Sequence, residues 1–172
     1  MLGAGCLELA TYVVSKQEKN DRAGEKNKLI RITNPVSDDY NALRDSIMPN
    51  LLGVLSKNTH QPYPQKLFEL GDVAIPNMLA ETRADTVHRL CAVSAHSEAN
   101  LSEIAGLLAV AADTLKLKFE LKKTDSPQFI SGRQAAIVAN GKEIGKIGEI
   151  SPQVLERMGI QMPVAAFEVS IP

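Results

Sequence analysis

Residues 135–150, AAIVANGKEIGKIGEI, place the dipeptide Asn140-Gly141 between two segments rich in apolar residues. Both residues of this dipeptide tolerate a positive φ, and Asn-Gly is a preferred connection in two-residue β-hairpins. Ala135–Ala139 and Lys142–Ile150 are therefore predicted to pair as antiparallel strands. A hairpin this short favours an antiparallel sheet, because parallel strands need a much longer crossover.

Outward from the hairpin, the chain divides into short strands and three helices. Apolar and β-branched patterning predicts further strands over 6–14, 28–32, 66–73, 87–95, 117–121 and 164–171. Helices are predicted from Ser46 to Lys57 with Ser46 as N-cap and Pro49 in the first turn, from Asn100 to Leu115 with Asn100 as N-cap, and from Ser151 to Met158 with Gly159 ending the helix. Residues 15–27 have no apolar residue except Ala23 and are predicted to form an exposed loop. The pattern indicates an α+β fold with a mainly antiparallel sheet, in a single domain over residues 1–172.

Composition excludes several classes of protein. The chain has 172 residues, 44% hydrophobic and 23% charged, which is ordinary for a soluble domain. Its 19 Lys and Arg against 20 Asp and Glu lack the basic excess usual in proteins that neutralise many phosphates. The longest apolar stretch, 104–112, is shorter than the roughly 20 residues that span a bilayer, and two cysteines do not make a disulfide framework. We therefore expect a reduced, cytoplasmic protein.

A metal site built from His88, Cys91 and His96 is disfavoured by strand geometry. Side chains alternate along a strand, so His88 and Cys91 would face opposite ways. His88 and His96 would share a face but stand roughly 26 Å apart at 3.3 Å per residue. We predict no metal ligands in this chain.

Glycines and basic residues near the hairpin raise two further possibilities. Gly141, Gly145 and Gly148 do not match a phosphate-binding loop, and in a strand glycine more often marks a bulge or a close backbone approach. The basic residues are Lys122, Lys123, Arg133, Lys142 and Lys146. They are interpreted as a solvated face, because a chain with three tyrosines and no tryptophan offers few stacking platforms for bases.

One carboxylate in a strand needs a partner. Glu69 alternates with Leu67, Gly71 and Val73 in KLFELGDV, so it lies among apolar neighbours. A buried carboxylate persists only when it is paired. We predict that Glu69 pairs with an arginine, and the candidates are Arg44 and Arg133.

Five collinear segments resemble a known family. They are ITNPVSDDYNALRDSIMPNLLGVLSKN, PQKLFELGDV, LSEIAGLL, GRQAAIVANGKEIGKIGEISPQVLERMGI and PVAAFEVSI. Together they resemble the C-terminal catalytic-like module of the phenylalanyl-tRNA synthetase β subunit, of the archaeal/eukaryotic type, from about Gly5 to Ile171. The family's β subunit carries other domains, so we expect this chain to correspond to a piece or a truncated relative of it.

The resemblance implies a class II synthetase-like fold, an antiparallel sheet flanked by helices, without the chemistry of an active site. Class II active sites hold ATP phosphates with one arginine on motif 2 and another on motif 3. The motif 2 equivalent here, Phe68-Glu69-Leu70-Gly71, has an acid where a cation is needed, and the motif 3 equivalent near Ala166-Phe167-Glu168-Val169 is followed by no arginine before Pro172. The motif 1 helix of class II interfaces would precede Met1, which argues against autonomous dimerisation. No catalytic, cofactor-binding or metal-binding residue is therefore expected in this chain.

The role implied by the resemblance is assembly. The module would pack against the catalytic α subunit, and the holoenzyme would join phenylalanine to its tRNA with ATP and magnesium ions. Twelve positions match the family pattern and are interpreted as turn, packing and ion-pair positions: Asn34, Pro35, Ser37, Arg44, Glu69, Gly71, Gly132, Arg133, Gly145, Gly148, Glu149 and Pro152. Two alternatives remain open at this point, a self-sufficient adenylating enzyme and an independent tRNA- or RNA-binding module based on the 133–146 hairpin.

Overall fold

The computed structural model describes residues 1–25 and 27–171, which form two sheets and four α-helices. The strands are β1 Leu7–Glu8, β2 Val14–Ser15, β3 Ile30–Arg31, β4 Ala42–Leu43, β5 Gln65–Pro76, β6 Ala84–Ala95, β7 Glu120–Lys122, β8 Phe129–Ala139, β9 Lys142–Ile150 and β10 Val164–Ser170. The helices are α1 Gln17–Arg22, α2 Met48–Lys57, α3 Leu101–Thr114 and α4 Pro152–Met158, with short 3₁₀ turns at Leu2–Ala4 and Asp38–Tyr40. None of these helices is both long and apolar enough to cross a membrane within the described ranges.

The larger sheet has seven strands in the order β1-β5-β6-β10-β9-β8-β7. Every neighbouring pair is antiparallel except β1 and β5 at one edge. The prediction of an α+β fold with a mainly antiparallel sheet is confirmed. A small second sheet, in the order β2-β4-β3, pairs three two-residue strands that lie between β1 and α2 in the sequence.

The predicted hairpin is confirmed. Ala139 of β8 pairs with Lys142 of β9, and Asn140 and Gly141 between them have φ angles of 51° and 77°. Positive φ at both central positions is the geometry that a two-residue turn of this kind requires.

Helices cover both faces of the large sheet. Because side chains alternate along β5, Leu67 and Val73 join the core beneath α2, whereas Phe68 joins the core beneath α3. Ala23, directly after α1, and Val154 and Met158 of α4 join the core on the α2 side. The face beneath α2 therefore carries the odd-numbered residues of β5, including Glu69.

The helix boundaries mostly follow the sequence signals. Asn100 caps α3 by accepting a hydrogen bond from the Glu103 amide at 3.0 Å, and Ser151 accepts from the Val154 amide at the start of α4. Pro49 lies in the first turn of α2, as predicted, but Ser46 does not cap that helix. Gly159 ends α4 in the left-handed region, with a φ of 73°.

The prediction of an exposed loop over residues 15–27 is wrong. Gln17–Arg22 forms α1, and Ser15, Asn20 and Ala23 are buried. The helix presents few apolar side chains because a polar contact anchors it instead, where the Asn20 side-chain amide donates to Asp45 at 2.7 Å. Lys26 in this segment lies outside the described residues.

Several predicted strands have different extents in the structure. Of the predicted strand 6–14, only residues 7–8 pair as β1 and residue 14 as the first residue of β2. Of the predicted strand 28–32, only residues 30–31 pair. β5 and β6 extend further than predicted, since their pairing continues to Pro76 opposite Ala84. β7 begins at Glu120 rather than at 117.

Candidate functional site

Glu69 pairs with Arg44 beneath helix α2. Arg44 Nη1 donates to Glu69 Oε1 at 2.7 Å, and each side chain is only 2% exposed. The prediction of a buried ion pair is confirmed with Arg44 as the partner. The prediction of Arg133 as an alternative partner of Glu69 is wrong, because Arg133 binds Glu149.

Thr11 and the backbone of β5 complete the coordination of this pair. The Thr11 hydroxyl donates to Glu69 Oε2 at 2.7 Å and its amide donates to Oε1 at 3.2 Å. Arg44 Nη1 also donates to the Thr11 hydroxyl, and Arg44 Nε donates to the Asp72 carbonyl at 2.9 Å. Both carboxylate oxygens and two of the guanidinium nitrogens are therefore bound by the chain itself, which a desolvated pair requires.

Gly71 leaves the space that the guanidinium occupies. A Cβ built at Gly71 would lie 2.6 Å from Arg44 Nη2 and 3.3 Å from Glu69 Oε1. Any side chain at position 71 would therefore collide with the ion pair. Gly71 belongs to the same structural unit as Arg44 and Glu69, in agreement with its interpretation as a packing position.

A second buried carboxylate, Glu168 of β10, caps α2. Its Oε2 accepts from the Met48 amide at 2.9 Å and from the Ser46 hydroxyl at 2.8 Å, and both of its oxygens lie within 3.2 Å of the Ile47 amide. The first amides of a helix have no partner within the helix, and the helix dipole favours an anion there. Ser46 donates to this anion instead of accepting from the helix, which is why it does not serve as the N-cap.

Arg89 of β6 completes the Glu168 site by donating from Nη1 to Glu168 Oε1 at 2.9 Å. Both acids thus have an arginine partner from the same chain. In register, Glu69 on β5 and Glu168 on β10 are both paired with Cys91 on β6. The three residues form a row across the sheet, facing α2.

Cys91 in the middle of this row is not poised as a nucleophile. Burial, followed by the nearby Glu168 and Glu69 carboxylates, raises the pKa of the Cys91 thiol well above its usual value. The thiolate, which is the nucleophilic form, is therefore suppressed. This cysteine serves as a small core residue.

A cavity of about 260 Å³ lies beside Glu168 and has an anionic lining. Its carboxylates come from Glu25, Asp45, Glu143 and Glu168, and its cations from Arg89 and Lys146. Burial, with help from the Glu168 and Asp45 carboxylates, raises the pKa of Glu25. With four carboxylates against two cations in its lining, the cavity does not favour an anion such as a triphosphate.

The three residues considered for a metal site, His88, Cys91 and His96, lie in three different environments. His88 Nδ1 lies 2.6 Å from Asp72, His96 Nε2 lies 2.7 Å from Glu103, and Cys91 is in the core. Across the parts of the chain that the structure describes, no group of three or more potential ligands is arranged to hold a metal ion.

Arg133 and Glu149 form a separate unit at the start of α3. Arg133 Nη1 donates to Glu149 Oε2 at 2.8 Å, and Glu149 Oε1 accepts from the Leu101 amide at 3.0 Å. This contact fastens the hairpin to the helix. It also neutralises the arginine that the sequence placed in a basic hairpin surface, and Lys146 of that surface lines the anionic cavity.

The remaining family-pattern residues occupy turns and close contacts. Asn34, Pro35 and Ser37 lie in the loop between β3 and β4, Gly132 has a φ of 79° within β8, Gly145 and Gly148 are in β9, and Pro152 begins α4. A Cβ at Gly145 would overlap the Glu168 carbonyl and lie 2.7 Å from Val169 Cα, and one at Gly148 would lie 2.7 Å from the Phe129 ring. Neighbouring atoms thus approach the backbone closely at these two glycines, which is one of the two possibilities, a bulge or a close approach, that the sequence left open.

Sequence reasoning missed Glu168, Thr11 and Arg89 as members of the site. Glu168 stands in the apolar run VAAFEVS, the same signal that identified Glu69. Thr11 and Arg89 carry no comparable signal, because a threonine near a strand and an arginine in a strand are ordinary. Only the pairing of β5, β6 and β10 brings these residues together.

Comparison with known proteins identifies the family. The sequence matches the family described as the phenylalanyl tRNA synthetase beta chain CLM domain over residues 1–171. The chain belongs to this family. The resemblance to the β subunit of this synthetase is therefore confirmed.

Relatives with curated names carry the β-subunit description. The chain is 38% identical over 173 residues to the phenylalanine–tRNA ligase beta subunit of Korarchaeum cryptofilum (strain OPF8), which covers 99% of this chain and 31% of that protein. It is 43% identical over 142 residues to the phenylalanine–tRNA ligase beta subunit of Thermococcus onnurineus (strain NA1), which covers 83% of this chain and 25% of that protein. The chain thus spans up to about a third of the length of these relatives.

Proposed function

We propose that this chain is a non-catalytic, class II synthetase-like module of a phenylalanine–tRNA ligase β subunit, and that it packs against the catalytic α subunit. In that assembly the holoenzyme attaches phenylalanine to its tRNA with ATP and magnesium ions. The chain contributes shape and stability to the complex and supplies no reacting group. Family membership and the mostly antiparallel sheet with helices on both faces support this proposal.

The arrangement around Glu69 is the observation that carries the proposal. Adenylate formation needs cations on the triphosphate, because charge concentrates there. Here Glu69 lies at the position of an expected cation, and the nearest guanidinium, that of Arg44, is buried and bound to Glu69 itself. Glu168 and Arg89 repeat this arrangement on β10 and β6. Both arginines are held by carboxylates of this chain, which leaves each of them less charge to offer a triphosphate.

The same contacts disfavour RNA binding by the 133–146 hairpin. Arg133 is paired with Glu149, and Lys146 faces a cavity with four carboxylates. Among the hairpin cations named from the sequence, Lys142 is the one left exposed and outside these contacts, at the start of β9. A single exposed lysine supports only a weak phosphate contact.

Co-expression with the α subunit tests the proposal. We expect the two chains to purify together, and phenylalanine attachment to tRNA to occur with the complex. We also expect the chain alone to catalyse no phenylalanine-dependent exchange between pyrophosphate and ATP. Exchange by the chain alone, or failure of a folded chain to bind α, would contradict the proposal.

A matched pair of variants separates scaffolding from catalysis within the complex. Glu69→Gln should lower the yield and thermal stability of the complex, while activity per mole of assembled complex stays near wild type. Glu81→Gln, in the exposed loop between β5 and β6, removes the same charge and should change neither quantity. A large loss of activity per mole of intact Glu69→Gln complex would instead assign Glu69 a catalytic role.

A further inference from the structure

A cleft on the outer side of α2 combines cations with exposed aromatic rings. A cavity of about 140 Å³ between α2 and the first strands is lined by Tyr12, Tyr40, Lys19 and Lys57, among others. A larger opening of about 430 Å³ continues from it and shares Lys19, Tyr40 and Lys57. It adds the cations Lys16 and Arg22 and the carboxylates Glu18 and Asp39. The two openings form one continuous groove, which we name the α1–α2 cleft.

The cations of the α1–α2 cleft are unequally neutralised. Lys16 lies within 3.5 Å of both Glu18 and Asp39, so these two carboxylates offset its charge. In contrast, across residues 1–25 and 27–171 no carboxylate oxygen lies within 4.0 Å of the Lys19 or Lys57 ammonium. Two positive charges without a carboxylate partner among the described residues therefore line the cleft, one from α1 and one from α2.

Lys19 is held in place by a neutral group. Its Nζ donates to Asn50 Oδ1 at 3.2 Å, and Asn50 is itself fixed by donating to Thr11 and to the Tyr12 carbonyl. Burial, with further contributions from Lys57 and Arg44 that outweigh Asp39, lowers the pKa of Lys19. A bound anion would relieve this repulsion, because it would place negative charge between the cations.

The aromatic residues stand beside these lysines. The Tyr12 and Tyr40 rings meet edge to face, with centroids 5.8 Å apart and an interplanar angle of 82°. Tyr12 is 72% exposed and Tyr40 is 42% exposed, so a ring face is open to solvent. The chain has only three tyrosines and no tryptophan, yet two of the tyrosines meet at this cleft.

We infer that the α1–α2 cleft binds a single-stranded polynucleotide, with phosphates on Lys19 and Lys57 and a base stacked on Tyr12. Cationic grooves with exposed aromatic rings bind single strands because every phosphate carries charge and every base has a stacking face. A duplex would keep its bases stacked on each other and could use only the lysines. The inference does not depend on the proposed role in assembly, since packing against an α subunit neither requires nor prevents polynucleotide binding at this cleft.

Fluorescence anisotropy with the 172-residue chain and a labelled single-stranded oligoadenylate tests this assignment. We expect saturable binding that weakens between about 50 and 200 mM salt. The double variant Lys19→Gln/Lys57→Gln should bind at least about tenfold more weakly, with a salt slope smaller by about 1.4, or about 0.7 for each lost phosphate contact on a single strand. Lys57→Gln alone, at the exposed end of α2, should lose part of the affinity. If the double variant is unstable, the affinity of this single variant tests the role of the lysines instead.

Matched controls isolate charge and stacking. Lys118→Gln/Lys123→Gln removes the same charge from exposed positions on either side of β7 and should leave binding within about twofold of wild type. Tyr12→Ala should weaken binding by at least about fivefold, the lower limit for loss of one stacked base, and Tyr12→Phe should restore it. Duplex RNA and inorganic tripolyphosphate should compete poorly.

Results of three kinds would overturn the inference. The first is absence of saturable binding by the wild-type chain. The second is an equal loss in the Lys118→Gln/Lys123→Gln control, which would indicate a diffuse charge effect. The third is equal competition by duplex RNA, or no effect of Tyr12→Ala, either of which would leave a simple anion site without base stacking.

Discussion

At the scale of single residues, Glu69 and Arg44 form an ion pair that is almost completely removed from water. Each charge loses hydration worth several kcal/mol, so the pair is stable only because both partners are present and bound by further groups. Thr11 provides those groups for the carboxylate, and the Asp72 carbonyl provides one for the guanidinium. The pair is therefore sensitive to removal of either partner.

A double-mutant cycle measures this dependence. Arg44→Met should lower the free energy of unfolding by about 3–5 kcal/mol, because it leaves a buried carboxylate without its cation. Arg44→Met/Glu69→Gln should recover a substantial part of that loss, since no unpaired charge remains. Urea unfolding of the wild type, both single variants and the double variant gives the coupling energy. Additive effects of the two substitutions would contradict the assignment.

At this scale the sequence predicted one ion pair and missed the other. Glu69 and Arg44 each stood among apolar residues, which is a local signal of a buried charge that needs a partner. Glu168 carried the same signal, but its partners are the first amides of α2, about 120 residues away in the chain. Such long-range contacts depend on which strands become neighbours, and the local pattern does not contain that information.

At the scale of elements, β10 controls the start of α2 through Glu168. Glu168→Gln removes the negative charge that faces the helix dipole and leaves Arg89 without its anion. We expect a loss of about 1.5–3 kcal/mol in the free energy of unfolding, the range for hydrogen bonds to charged groups. Hydrogen exchange at the Ile47 and Met48 amides should accelerate in this variant.

The exposed strand β7 offers a control for this charge. Glu120→Gln should alter neither the free energy of unfolding nor the exchange of the α2 amides, because Glu120 is exposed. Unchanged amide exchange in folded Glu168→Gln would show that Glu168 does not hold the start of α2.

Alanine substitutions at two glycines should change the stability of the fold in opposite directions. Gly145→Ala forces a Cβ into the β10 backbone, and we expect a loss of about 1–3 kcal/mol from this overpacking. Gly106→Ala, in α3, meets no described atom within 4 Å and should gain up to about 1 kcal/mol from helix propensity. Thermal unfolding of both variants checks the signs, and a stable Gly145→Ala protein would contradict the close approach of β9 to β10.

The first turn of α3 should give the fold an acid-sensitive contact. Burial alone would raise the pKa of Glu103, but hydrogen bonds from Lys66 and His96, both at 2.7 Å, outweigh it and hold the pKa below its usual value of 4.5. A lowered folded-state pKa stabilises the protein above the unfolded-state value, and this stability is lost as the pH falls below it. Glu103→Gln should therefore lower the melting temperature at neutral pH and reduce its decline on acidification.

Comparison with Glu98→Gln, in the exposed turn before α3, controls for the lost charge. Parallel pH profiles for Glu103→Gln and the wild type would show that Glu103 has no special stabilising contact. We expect the melting temperature of Glu98→Gln to follow that of the wild type at every pH.

Elements with a strong local signal could be predicted from the sequence, and anchored or paired elements could not. The β8–β9 hairpin needed only Asn140-Gly141, and α3 needed only its cap and apolar stripe. By contrast, α1 has a single apolar residue nearby, Ala23, and is held by Asn20 and Asp45. Its helical state depends on that tertiary contact, so the hydrophobic pattern of the segment does not predict a helix.

At the scale of the whole molecule, a net charge of -1 conceals two environments of opposite sign. The cavity beside Glu168 is lined by four carboxylates and two cations. The α1–α2 cleft retains the ammonium groups of Lys19 and Lys57 without a described carboxylate partner. The total charge and composition could not reveal this separation, because it depends on how the chain folds.

Titration of the chain with ATP and magnesium ions tests the central claim most directly. Isothermal calorimetry should detect no saturable binding at the Glu69 and Glu168 row, since the guanidinium groups of Arg44 and Arg89 are already held there by carboxylates. Heat from weak binding at the α1–α2 cleft would disappear in Lys19→Gln/Lys57→Gln and can be separated in this way. Saturable ATP binding that persists in that variant and is lost in Arg89→Gln would contradict the account.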